Sequence, residues 1–359
     1  MTLIAQTINK GHPILIGDLL LSSNRPSDEL LLPSYVSIPK INGIINANFP
    51  QNIKQKTYII SDNLAISLGG VISEMRTFLE DIKGEFKYKS CTRANFESFW
   101  SNYGFEEISQ CTIGAVLIEK RLGNETLMLF YHKKENEWEQ VDSHSYEKIF
   151  AWGSGAKMFI QATQQISLYS TNFINLDQTI YKHLSLIGQL LLMERNNAQN
   201  LFDAWGGGFE VVFYDGIRFN KLDDIVYIFL TGQIDARYET CKLTPTHIIK
   251  QKYIDNLLLF YTGENLGLTK RDCLAVSSLD VDHIDEQSIP LNNIEFKAKY
   301  YCYLCTLLVP DLSDKYIPLI ISESHSKNNS VMINSNDHLE ILISIEFEKQ
   351  ILDMVKKIR

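Results

Sequence analysis

Two short strand-like stretches open the chain, residues 3–7, beginning with the apolar Leu3, Ile4 and Ala5, and residues 14–16, separated by Gly11, His12 and Pro13 and closed by Gly17 and Asp18. Stretches of this length around a Gly-Pro turn predict a β-hairpin. A hairpin of that size returns Asp18 to the neighbourhood of Thr2. Thr2 is small, which suits removal of Met1 by the aminopeptidase that trims initiator Met. A free N-terminal Thr then combines an attacking hydroxyl with an amine that takes its proton.

The next signals are strand, glycine and helix junctions. Residues 24–28 are turn chemistry, and Lys40 follows Pro39 to open a short apolar strand over residues 41–45. Residues 46–56 are polar and read as a long hairpin tip. Thr57 begins a strand, Asp62-Asn63 is a turn, and residues 64–68 read as a buried strand. Gly69-Gly70 then starts a helix with Val71, Ile72, Met75, Phe78, Leu79 and Ile82 at helical spacing. A strand running through glycines into a helix start leaves backbone N–H groups able to face an anion. Thr92 caps a second helix that carries Phe96, Phe99 and Trp100. Residues 111–120 and 126–132 read as a hairpin about Gly123-Asn124. A short strand, residues 149–152, meets Gly153-Ser154-Gly155 and a helix. Residues 176–197 form the fourth helix, and Asp203 precedes Trp205 and three glycines, Gly206 to Gly208. Residues 209–214 and 225–230 are expected to close this part of the chain as a hairpin.

With 45% hydrophobic and 21% charged residues, the 359-residue chain has the composition of a soluble globular protein. A net charge of −9 and the absence of any basic block argue against nucleic-acid binding. No run is apolar enough and long enough to span a bilayer, and Met1 is followed by no basic region or cleavage site, so a cytoplasmic protein is expected. The six cysteines are scattered and suit reduced thiols. Cys302 and Cys305 have a ligand-like spacing, but no second pair lies near them in sequence, so no metal is expected.

Taken in order, these segments resemble the proteasome-type N-terminal-nucleophile hydrolases over about residues 2–232. That resemblance implies an α+β fold in the form of a four-layer αββα sandwich, with residues 233–359 added as a β-rich extension or subdomain. It implies Thr2 as nucleophile and Lys40 as the lysine that lowers its pKa, with Lys54 and Lys56 as competitors for that place. Asp18 would hold the lysine and the Gly69 N–H would bind the oxyanion. Ser154 and Asp203 would orient the terminal amine. The family's serine three positions after the Asp is Gly206 here, which removes one hydroxyl from the expected network.

The function implied is a threonine-type amidohydrolase, in particular a peptidase, working through an acyl-enzyme at Thr2 and without a cofactor. Peptide or protein substrates, a homo-oligomer or ring, and an unfoldase partner are implied with it. The alternative is the same fold used without catalysis, as an assembly or interaction protein, which Gly206 and the long loop from Asp18 to Lys40 favour. In the tail, strands are expected over residues 257–261, 296–309, 317–321 and 339–345. A terminal helix over 346–358 ends in basic residues, and residues 279–286 read as a solvated acidic loop.

Overall fold

The computed structural model describes residues 2–9, 12–25, 30–34, 48–120, 126–133, 148–167, 175–235, 240–264, 272–282, 296–309, 315–324, 331–334 and 340–358. These carry both helices and sheets, an α+β protein. The chain divides into two compact units. The first comprises Met1–Ile180, Glu194–Leu222 and Val276–Ile284; the second comprises Tyr181–Met193, Asp223–Ala275 and Asp285–Arg359.

The first unit begins with the expected hairpin. Strand β1 (Leu3–Asn9) pairs antiparallel with β2 (His12–Asp18), with Ile4 opposite Gly17. A short ribbon follows, β3 (Leu20–Ser23) against β4 (Phe49–Ile53), where the sequence suggested only a hairpin tip. Then come β5 (Thr57–Ser61), β6 (Leu64–Gly69), helices α1 (Ile72–Phe86) and α2 (Arg93–Asn102), β7 (Thr112–Lys120), β8 (Thr126–Lys133), β9 (Lys148–Gly153) and α3 (Ala156–Ser167). The two ends of helix α4 (Leu176–Asn197), the single turn α5 (Gln199–Phe202), β10 (Phe209–Tyr214) and β11 (Phe219–Lys221) complete it, while Tyr181–Met193 of α4 count with the second unit. Thr92 caps α2 as its sequence predicts, accepting from the Asn95 N–H at 3.3 Å.

These strands make a five-stranded sheet in the order β11-β10-β2-β1-β9 and a four-stranded sheet in the order β5-β6-β7-β8. The two pack face to face through β1, β2 and β10 against β5, β6 and β7. The side-chain alternation of β6 shows why. Leu64, Ile66 and Leu68 join Met75, Phe78, Leu79, Phe96 and Trp100 in a core beneath α1 and α2. Ala65 points the other way, into a second core with Ile8, Leu15, Val116, Phe130 and Val212 between the sheets. Each fully buried Leu, Ile or Phe in these layers contributes about 1.5–3 kcal/mol. By the same alternation Gly69 falls on the inter-sheet face, at the end of the strand. Helix α3 packs on β9 and β1.

The second unit is built on a six-stranded sheet, β15-β14-β13-β12-β16-β17, from β12 (Ile225–Asp235), β13 (Thr240–Ile254), β14 (Leu257–Glu264), β15 (Asp272–Val276), β16 (Tyr300–Val309) and β17 (Lys315–Ser324). The ribbon β18 (Val331–Asn334) with β19 (Glu340–Ile343) and helix α6 (Ile345–Ile358) follow. Phe347, Ile351 and Val355 of α6 enter the same core as Tyr303 and Leu307.

One expected pairing is corrected here. Strand β12 does not close a hairpin with β10. It pairs antiparallel with β13 and parallel with β16, while β10 pairs with β11 and β2. Eleven residues of β12 pair with β13, with a register shift between Phe229 and Leu230, a longer ladder than β10 offers. The acidic loop is also more than a solvated turn at its start. Leu279 is fully buried in the α1–α2 core, and its N–H donates to the Tyr58 hydroxyl at 3.1 Å. Arg76 and Lys83 bond Asp282 and Asp280 outside it. Among the described residues no helix is long and apolar enough to cross a membrane.

Candidate active site around Thr2

The hairpin brings Thr2 and Asp18 together. The Thr2 hydroxyl donates to Asp18 Oδ1, and the Leu3 N–H donates to the same oxygen at 3.1 Å. The third member is Lys56. Its Nζ donates to Thr2 Oγ1 at 2.8 Å, to Asp18 Oδ1 at 2.7 Å and to the Leu20 carbonyl at 2.6 Å. An ammonium has three protons, and here each has an acceptor. Thr2, Asp18 and Lys56 are 2%, 0% and 1% exposed, so the three side chains are buried together. Burial pulls Lys56 below its ordinary pKa, against the charges of Asp18 and Glu210, which pull it up.

Lys40, the lysine expected from its position after Pro39, lies outside the described residues. Of its competitors, Lys54 turns elsewhere and donates to Ser277 Oγ and the Val281 carbonyl, each at 2.6 Å. Lys56 is the lysine on Thr2. It immediately precedes β5, the strand that leads through β6 to Gly69, and that adjacency is the signal that could have favoured it.

A second ion pair, between buried Glu210 and half-buried Lys221, fixes the backbone under Lys56. Glu210 Oε2 accepts the Lys56 N–H at 2.7 Å and the Thr57 N–H at 3.1 Å, and Lys221 pairs with Oε1. Gly17 lies opposite Glu210 in the β2–β10 ladder, and a Cβ on Gly17 would come 2.9 Å from Thr57 Cγ2. Glycine at that place is what lets Lys56 and Thr57 approach the hairpin.

Two more glycines shape the space around Thr2. A Cβ on Gly69 would overlap Thr2 Cγ2, and one on Gly153 would overlap the Thr2 carbonyl oxygen. Gly153 also has φ of 92°, where a side chain is strained. Gly69 therefore packs directly against Thr2. Its N–H lies within hydrogen-bonding reach of the Cys111 thiol, which burial pushes up to about 12. Ser154 follows Gly153, and its hydroxyl is 3.5 Å from the Thr2 carbonyl and 3.4 Å from the Ala204 carbonyl.

Asp203 is the expected residue that the fold does not bring in. It is exposed at the end of α5, where its carboxylate accepts from Gln199 at 3.4 Å. Among the described residues its side chain has no bond to Thr2 or Ser154. The segment just after it does reach the cluster, through backbone. The Gly206 N–H donates to Asp18 Oδ2 at 2.9 Å, and its carbonyl accepts from Leu20 N at 3.0 Å.

No protein-family model and no curated protein matches the chain.

Proposed function

We propose that the chain is a threonine-type N-terminal-nucleophile amidohydrolase, in particular a peptidase, active once Met1 is removed. The observation that carries this is the Thr2 hydroxyl held between a buried carboxylate and a buried ammonium, in a space that two glycines leave for it. A structural threonine at a strand end has no need of an internal ion pair, which costs several kcal/mol per ion to desolvate.

Removal of Met1 turns the Thr2 amide nitrogen into an amine beside Ser154. Thr2 Oγ1 then attacks an amide carbonyl, and the amine takes the hydroxyl proton through a bridging water. Lys56 stabilises the developing alkoxide and Asp18 holds Lys56 in place. The C–N bond breaks as the leaving amine takes that proton back, which leaves an ester on Thr2. Water hydrolyses the ester and restores the hydroxyl. In this reading Lys56 takes the part first expected of Lys40, and Gly69 contributes room for the Thr2 methyl group as well as the N–H expected to face the oxyanion. The chemistry uses the chain's own groups and needs no cofactor.

The four-layer αββα sandwich belongs to the same proposal. Two facing sheets, with α1 and α2 outside one and α3 outside the other, support it. Peptide or protein substrates, a homo-oligomeric ring, an unfoldase partner and a cytoplasmic setting are proposed with it, on the strength of the resemblance. The test is intact-mass analysis of Met1-trimmed protein treated with a β-lactone or an epoxyketone. An adduct on Thr2, absent in Thr2→Ala, supports the reading, and no adduct on the trimmed protein counts against it.

A second reading, a non-catalytic assembly protein with this fold, is favoured by the exposed carboxylate of Asp203. It predicts trimmed protein inert to both reagents.

A further inference from the structure

Glu194 lies on α4 and is fully buried. Its Oε1 accepts from the Ser34 hydroxyl. Its Oε2 accepts from Asn200 Nδ2 at 2.7 Å and from the Gly207 N–H at 2.9 Å. Asn200 in turn donates to the Trp205 carbonyl at 3.1 Å, and the Trp205 N–H returns to the Asn200 carbonyl at 3.1 Å. The whole turn from Trp205 to Gly207 is thus held on one carboxylate.

That turn is what grips the Thr2 cluster from behind. Gly206 N–H bonds Asp18 Oδ2, and the Gly206 carbonyl bonds the N–H of Leu19 and Leu20. Leu20 supplies one of the three acceptors of Lys56. Position 206 also has to be glycine. Its φ is 113°, and a Cβ there would overlap Glu194 Oε2 and Asn200 Nδ2. The carboxylate fills the space in which a side chain at 206 would stand.

We propose that Glu194 is a positioning residue for the nucleophile, fixing the Gly206 amide on Asp18 through Gly207 and Asn200 and so setting the Asp18–Lys56 geometry at Thr2. The proposal deepens the reading of Thr2 as nucleophile and rests on it for its catalytic meaning. Its geometry is separately measurable.

The experiment uses 15N-labelled full-length chain, wild type and Glu194→Gln, and follows amide exchange at Gly206 and Gly207 with the side-chain 15Nζ signal of Lys56. Gln keeps the shape but turns an NH2 toward at least one donor. Exchange at both glycines should rise roughly tenfold or more, the size expected when a hydrogen bond to a charged group is lost. The Lys56 signal should move, while that of Lys133, buried and held by the Ile108 and Cys111 carbonyls, stays in place. If Glu194→Gln does not fold, Asn200→Ala removes one donor to Oε2, keeps the carboxylate, and is read the same way. Unchanged glycine exchange, or an unmoved Lys56 signal, overturns the proposal whether or not Thr2 is reactive. Loosened glycines and a shifted Lys56 in a protein whose trimmed wild type never acylates leave Glu194 as the brace of the cluster and sink the hydrolase reading alone.

Discussion

Lys56 donates to Asp18 at 2.7 Å, and neither side chain meets solvent. Removing one partner of such a pair leaves the other charge buried and uncompensated. Lys56→Met is therefore expected to destabilise the first unit by about 3–5 kcal/mol. The double variant Lys56→Met with Asp18→Asn, which buries no charge here, should lose less than Lys56→Met alone. Urea unfolding of wild type, Lys56→Met, Asp18→Asn and the double variant checks this, and additive losses would show that the two groups are not coupled.

The fit of Gly69 against Thr2 gives a second prediction. Gly69→Ala puts a methyl group into Thr2 Cγ2, and overpacking of this kind costs about 1–3 kcal/mol. It should also lower the rate of Thr2 acylation, because the threonine must move. Gly84 on α1 is exposed with nothing within 4 Å of an added Cβ, so Gly84→Ala should stabilise by about 0.5–1 kcal/mol and leave acylation unchanged. Thermal unfolding and the acylation rate read both variants.

Glu194 gives a pH dependence with a definite sign. Burial holds its carboxyl above the ordinary 4.5, and Asp18 pushes the same way, against the bonds from Ser34, Gly207 and Asn200. A carboxyl raised in the folded state binds its proton more tightly folded than unfolded. Its contribution is fully present below pH 4.5 and is lost as pH rises through the raised value. Wild-type stability should therefore fall across that window relative to Glu194→Gln. Parallel stability–pH curves would contradict the assignment.

Leu279 tests whether residues 276–282 belong to the first unit. Its side chain is fully buried beneath α1 and α2, so Leu279→Ala should cost about 2–5 kcal/mol. A fragment ending at Gly232 lacks this segment and should unfold at lower urea concentration than the first unit does within the full chain. Equal midpoints would make the segment dispensable.

Much of this arrangement is legible in the sequence because it is local. The β1–β2 hairpin, the run from β6 through Gly69 into α1, and the strand–Gly-Ser-Gly–helix around Ser154 each follow from a turn residue between two periodic segments. What escapes is set by contacts between distant segments. Lys54 and Lys56 lie two residues apart just before β5, and it is Lys56, whose amide and that of Thr57 are bonded by Glu210, that turns toward Thr2. Glu210 sits in an apolar run, on the face that Val212 and Tyr214 carry into the core between the sheets, and a carboxylate there gives no signal of its partners. Glu194 looks like an exposed residue of a helix end. Asp203 was placed by its spacing from the glycines, but that segment serves the site through the Gly206 backbone. Strand β12 has the pattern of a partner for β10, and the longer ladder with β13 takes it instead.

Thr2, freed of Met1, is proposed to act as a nucleophile. The direct measurement is the intact mass of the trimmed chain before and after a β-lactone, with the adduct located by peptide mapping. One equivalent on Thr2, lost in Thr2→Ala and greatly slowed in Lys56→Met, is the predicted result. Trimmed, folded wild type that keeps its mass, or an adduct that survives Thr2→Ala, would contradict it.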